Sequence, residues 1–169
     1  MLELQVHDGE MEVTLQFEHS LLSLSKWEGR TQKPFLTTVQ KSPSELVEYF
    51  QDMLVSPESD PNVVYGLNPG QLDRLSDYIN ESLTASSVPD DGPRKFNAEQ
   101  ITSELIYYWM SALRVPFYPT ETWHLSRTMM LIQIAGYKQQ PPKKRKPAEV
   151  MSDWRRLNDE RKKKYNSNG

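Results

Sequence analysis

Three histidines, His7, His19 and His124, are the only side chains of this 169-residue chain that ordinarily titrate near neutral pH. Proton transfer or metal binding would have to be built from them together with carboxylates. Their spacing offers neither. No two stand in an H-x-x-x-H or H-E-x-x-H arrangement, and the carboxylates form no calcium-loop pattern. Cysteine is absent, which excludes thiolate zinc sites, iron–sulfur clusters, cysteine nucleophiles and a disulfide framework. The seven glycines are scattered, so the chain has no phosphate-cradling run, and no serine sits in a nucleophile-elbow context. His124, next to Trp123, is the histidine best suited to a special role, and the role expected of it is capping or bridging helices. The chain therefore reads as a non-enzyme, with no catalytic, cofactor-binding or metal-binding residues and no cofactor.

What remains is binding, and the charges are distributed unevenly for it. Residues 1–136 hold 9 Lys/Arg and 19 Asp/Glu, a net of −10, whereas residues 137–169 hold 11 and 4, a net of +7. An acidic body repels nucleic acid and phospholipid, so any phosphate contact would fall to the basic tail. No window approaches the roughly 18 to 20 apolar residues of a membrane span, and the first residues lack a signal peptide's basic start and apolar run. Neither a membrane partner nor export by that route is expected.

The elements that would present a binding surface follow from periodicity. Leu2, Leu4 and Val6, then Met11, Val13, Leu15 and Phe17, alternate with polar residues as in two half-buried strands, with a turn at His7-Asp8-Gly9. A Ser-capped helix is expected over 20–28 with Leu21, Leu24 and either Trp27 or Lys26 along one side, ending at Gly29. An irregular stretch follows, from which Phe35 reaches back to the core. Ser42-Pro43-Ser44-Glu45 and Asn68-Pro69-Gly70-Gln71 each combine a cap, a first-turn proline and a capping box. The helices behind them carry Leu46, Val47, Tyr49, Phe50 and Met53, and Leu72, Leu75, Ile79 and Leu83. Beyond an exposed loop at 84–95, a helix capped by Asn97 with Gln100 carries Ile101, Leu105, Tyr108, Trp109 and Ala112. Thr120 then starts a long helix with Trp123, Leu125, Met129, Met130, Ile132 and Ile134. This last pair is expected to form the heart of the fold and, being apolar nearly all round, to touch more than one neighbour within the domain or in another copy of a homo-oligomer. The fold class is mainly α (α+β). Residues 1–140 form an acidic helical domain with an N-terminal β-hairpin at about 1–17; residues 141–169 form a basic linker and a C-terminal helix with Val150, Met151, Trp154 and Leu157 on one side.

Three segments go beyond generic patterning: HSLLSLSKWEGRTQKPFL at 19–36, ITSELIYYWMSALRVPFY at 101–118 and TWHLSRTMMLIQIAGYKQQPPKKRKPAEVMSDWRRLNDERKKK at 122–164. Their order, S-L-S-K-W-E with K-P-F-L, then E-L-I-Y-Y-W-M-x-A-L-x-x-P-F, then W-H-L-x-R, then a P-P-K-K step into a basic helix, resembles a family of small proteins encoded by long-tailed bacteriophages and prophages. Members of that family look like tail assembly chaperones. The resemblance implies a helper in the host bacterial cytoplasm that coats the helical tape-measure protein, delivers tail-tube subunits to it, and is left out of the virion. It transfers no functional residue.

For such a role, Tyr107, Tyr108, Met110, Met129 and Met130 are the candidate partner-binding side chains. Methionine adapts to varied surfaces, and tyrosine offers both area and a hydrogen bond. Lys143, Lys144, Arg145 and Lys146 would add attraction to acidic stretches of the partner. A structural tail or neck protein of the virion is the alternative. The second alternative is a nucleic-acid-binding regulator acting through the basic tail, which the acidic body disfavours.

Overall fold

The computed structural model of the protein describes residues 1–8, 11–56, 60–88, 100–139 and 147–165, leaving out the side chains at 7, 8, 11, 12 and 147–150. It is mainly helical with an antiparallel N-terminal hairpin and comprises two compact units, Met1–Gln139 and Gln140–Gly169.

Strand β1 (Leu2–Asp8) pairs with β2 (Met11–Phe17), setting Leu2 against Phe17, Leu4 against Leu15 and Val6 against Val13. The register gathers the alternating apolar residues on one face, where Leu4, Leu15 and Phe17 are buried. That same register carries pairing out to Asp8 and Met11, so His7 and Asp8 are strand where a turn was expected; Gly9 lies outside the described residues. Glu18 N–H donates to the Met53 carbonyl at 2.9 Å and Val55 N–H to that of Gln16 at 2.8 Å, which closes the free edge of β2.

Helix α1 (Leu21–Thr31) starts at Ser20, whose hydroxyl accepts the Ser23 N–H at 3.1 Å, and buries Leu24, Trp27 and Glu28. It does not stop at Gly29. That glycine sits on the exposed side, Thr31 Oγ1 bonds the Trp27 carbonyl at 2.9 Å, and the left-handed residue that ends the helix is Gln32 at φ 55°. Helices α2 (Pro43–Met53) and α3 (Pro69–Asn80) begin with the expected capping boxes, closed by Glu45 and Gln71. Between them, the 3-10 turn Pro61–Gly66 buries Val64. Leu83 falls beyond α3 and is exposed, and the residue that completes its buried side is Tyr78.

The second half departs further from expectation. Helix α4 (Ser103–Ala112) is capped by Thr102, since Ile101 bridges to Leu36 in extended conformation; Asn97 is outside the described residues. Its buried side is Ser103, Ile106 and Met110, a rotation away from the expected face, and Tyr108 and Ala112 are exposed. Thr120–Thr122 form only a 3-10 turn, and α5 spans Leu125–Gln139. The delay has a cause: His124 bridges to Ser20 and Leu125 N–H donates to the His19 carbonyl at 2.7 Å, so the chain is extended there.

The centre of the core therefore lies elsewhere than between α4 and α5. Its largest wholly buried side chains are Trp27, Tyr49, Phe17 and Phe50, from α1, α2 and the hairpin. Phe35 stacks on Tyr49 at 3.8 Å between centroids and meets Trp27 edge-on at 5.2 Å. In the second unit, helix α6 (Pro147–Tyr165) leaves Met151, Trp154 and Leu157 exposed and places Lys162, Lys163 and Lys164 in its last turn, where the helix dipole favours cations.

Trp27→Ala should cost about 3 to 5 kcal/mol in urea unfolding, because it opens a large cavity among aromatic rings. Trp123→Ala should cost less, and Trp154→Ala should stay within about 0.5 kcal/mol. Equal losses for Trp27 and Trp154 would contradict this placement of the core.

Candidate functional site

Two histidines are buried together, and their bonds define what they do. His124, on the extended entry to α5, donates through Nε2 to the Tyr78 carbonyl at 3.0 Å, since a carbonyl can only accept. Its Nδ1 then accepts from Ser126 Oγ at 2.8 Å and Ser126 N–H at 3.3 Å. The ring thus pins the end of α3 to the start of α5, the bridging role expected of it. His19, at the end of the hairpin, pairs Nδ1 with Tyr49 Oη at 2.6 Å, and its ring centroid lies 5.3 Å from that of His124. Burial, then the neighbouring His124, lowers the His19 pKa from 6.5 to about 3, while burial raises that of Tyr49. Both histidines are locked in hydrogen bonds within the core and are 3% and 2% exposed, which leaves no room for a substrate. Tyr78 Oη donates to Glu18 at 2.8 Å, a partly buried bond that ties α3 to the end of the hairpin. The side chain of His7 is outside the described residues.

A second buried group, which sequence spacing did not single out, is Glu28. One oxygen accepts the Phe35 N–H at 2.8 Å and the other the Ser103 N–H at 2.7 Å. Its partners stand 7 and 75 residues away, so no local pattern marks it. Among the described residues, no group of three His, Cys, Asp or Glu could hold a metal ion, and no helix is long and apolar enough to cross a membrane.

The candidate partner-binding residues are not one surface. Met110 is wholly buried and offers nothing to a partner, because α4 turns it inward with Ile106. Tyr107 is half-buried; its hydroxyl donates to Glu121 at 2.8 Å and its ring meets Phe117 edge-on at 5.4 Å. Met129 packs against the core. Tyr108 is 66% exposed, on the outer side of α4 with Glu104 and Ser111. Met130 belongs to a different group. It stands with Ile134 and Tyr137 at helical spacing along α5, while Trp123 lies in the extended stretch before that helix; Tyr137 is exposed and the other three are half-buried. Arg127 holds its guanidinium 5.1 Å from the Trp123 ring centre. Two residues escaped the sequence pattern, Phe117 and Tyr118, which expose large rings in the connector after α4. The flanking prolines Pro116 and Pro119 were the signal, since they keep this stretch out of any helix and on the surface. Lys143, Lys144, Arg145 and Lys146 lie outside the described residues.

No family model matches the chain, and neither does any curated protein or solved structure.

His19 makes stability depend on acid. His19 takes up a proton near pH 6.5 when unfolded and only near pH 3 when folded, so the unfolded chain binds more protons between those values. Its contribution is complete above about pH 6.5 and is lost as pH falls toward 3, by up to about 1.4 kcal/mol per pH unit. Urea unfolding from pH 7 to 4 should show that slope, and His19→Gln should flatten it by about one proton. An unchanged slope in the variant would contradict the assignment.

Proposed function

We propose that this protein is a tail assembly chaperone of a long-tailed bacteriophage or prophage, acting without catalysis on helical segments of the tape-measure protein in the host bacterial cytoplasm. The observation that supports this best is apolar surface that the fold does not use. Met130, Ile134 and Tyr137 lie at helical spacing on α5, the first two half-buried and Tyr137 exposed, and Tyr108 and Tyr118 are 66% and 77% exposed. A stripe at helical spacing suits a helix laid against it, because each turn of the partner meets one apolar ring or thioether. Methionine and exposed tyrosine accept many registers of a repetitive rod, and modest buried area allows release during assembly.

Charge supports the same reading. The body's net −10 over residues 1–136 disfavours DNA, and the net +7 over residues 137–169 suits acidic stretches of a protein partner. The lysines of α6 would set affinity and salt dependence, with α5 supplying the contact area.

Co-expression with the tape-measure protein, followed by pull-down, tests the proposal. Intact protein should solubilise and retain that partner. Met130→Gln and Tyr108→Ser should each weaken retention by about three- to tenfold at every salt concentration. Removal of residues 141–169 should leave a folded body whose weaker binding no longer responds to salt. Mass spectrometry of purified virions should find the protein missing; its presence there would favour a structural tail or neck protein, and failure to bind the tape-measure protein would end the chaperone reading.

A further inference from the structure

Helix α6 carries Met151, Trp154 and Leu157 along one side at three-residue spacing, and all three are exposed, Trp154 by 67%. Tyr165, exposed as well, continues that side into the last turn. Within Gln140–Gly169 the described residues contain no second element on which this side could pack. A helix of 19 residues is marginal in water by itself and gains most of its stability from packing an apolar face. The stripe calls for a cover.

The charges around it say of what kind. At about 100° of turn per residue, Arg161 stands about 20° from the direction of Trp154, and Lys162 and Lys164 stand about 80° to either side. None of these three has a carboxylate partner among the described residues; Lys164 lies against the Tyr165 ring, 5.9 Å from its centre. The nearest carboxylate, Asp153, is about 100° from Trp154 and is engaged by Arg156 of the same helix at 3.4 Å. Asp159 and Glu160 lie further round, at about 140° and 120°. The face is an apolar stripe with cations on it and along both edges.

Three covers can be compared on charge and shape. A second copy of α6 would bring the same cations together, in a tail that already carries a net of +7 over residues 137–169. An anionic membrane matches the sign, but it repels a body of net −10 over residues 1–136, and the stripe is interrupted by Asn158 and Arg161 where lipid offers no fixed partner. An acidic helix meets both demands. Its apolar residues at three- and four-residue spacing lie against the stripe, and carboxylates beside them face the cations, while the acids of α6 stay in water on the far side.

We propose that α6 docks side by side with an acidic amphipathic helix of a partner protein, with Met151, Trp154 and Leu157 as the apolar contact and Arg161, Lys162 and Lys164 facing the partner's carboxylates. This surface is separate from that of α5 and stands on α6 alone. Its test needs no tape-measure protein, so it can fail while the chaperone reading holds, and the reverse.

The indole N–H signal of Trp154 in ¹⁵N-labelled full-length protein, assigned by its loss in Trp154→Phe, reports the contact. The probe is a synthetic peptide of three Glu-Ile-Ala-Ala-Leu-Glu-Glu repeats, an acidic helix with one apolar stripe. It should move that signal saturably with a Kd at or below about 0.5 mM, weakening about tenfold as salt is raised. The same repeat with Lys in place of Glu should bind at least about tenfold more weakly, and so should a peptide of the same composition with Ile and Leu scattered round the helix. Leu157→Gln keeps helix propensity and removes apolar area, and should weaken the acidic peptide about three- to tenfold. Arg161→Gln combined with Lys162→Gln should weaken it by a similar factor and remove most of its salt dependence. The proposal is overturned if the acidic peptide leaves the Trp154 signal unmoved, if the Lys peptide binds as tightly, or if both variants bind as the parent does. It is also overturned if concentrating the protein alone moves the signal, which assigns the face to a second copy, or if phosphatidylglycerol vesicles move it more strongly than the peptide, which assigns it to a lipid surface.

Discussion

The carboxylate of Glu28 reaches from α1 to two backbone N–H groups on other segments, at Phe35 and Ser103. Ser103 is the first residue of α4, so its N–H is one of the donors that a helix leaves without an intrahelical partner, at the end where the helix dipole favours negative charge. A bare carboxylate in the core would be costly; one holding two short N–H bonds is offset, each bond contributing about 1.5 to 3 kcal/mol. The single residue therefore fixes where α4 begins and how the stretch after α1 crosses it. Leu36 and Ile101 then bridge beside the clamp.

The surface around the stretch after α1 and around α4 depends on that placement. The stretch held at Phe35 carries Pro34, Val39 and Lys41, which wall a groove beside Trp27, and it sets Phe35 between Trp27 and Tyr49. The direction of α4 turns Met110 inward and Tyr108 outward. On the other side of the core, His19 and His124 tie the hairpin, α3 and α5 together through Tyr49 and Tyr78. Interiors packed and bonded this way do not deform continuously, so the apolar residues left on α5 and the connector stand on a rigid frame.

What could be read from the chain was what depends on near neighbours. Ser42 with Glu45 and Asn68 with Gln71 act across three residues, and both capping boxes form as the spacing predicts. The alternation of Leu4 and Leu15 likewise selects one register and one buried face. Long-range partners were invisible. Gly29 looked like a helix end because its own propensity is poor, but Glu28 and Trp27 beside it are held in the core, and that outweighs a cost of roughly 1 kcal/mol. Helix α4 is apolar nearly all round, so periodicity does not say which side the core claims; the folded chain takes the side with Ile106 and Met110, which removes Met110 from any binding surface. The role of Glu28 arises from contacts that only the folded chain creates.

The most direct test of this account is Glu28→Gln, read by hydrogen exchange residue by residue. Glutamine keeps the size and one acceptor oxygen but removes the charge and the second acceptor. The account predicts a loss of about 2 to 4 kcal/mol, with the amides of Phe35 and Ser103 losing protection before those of the hairpin. A variant within about 0.5 kcal/mol of the parent, with both amides still protected, would contradict it.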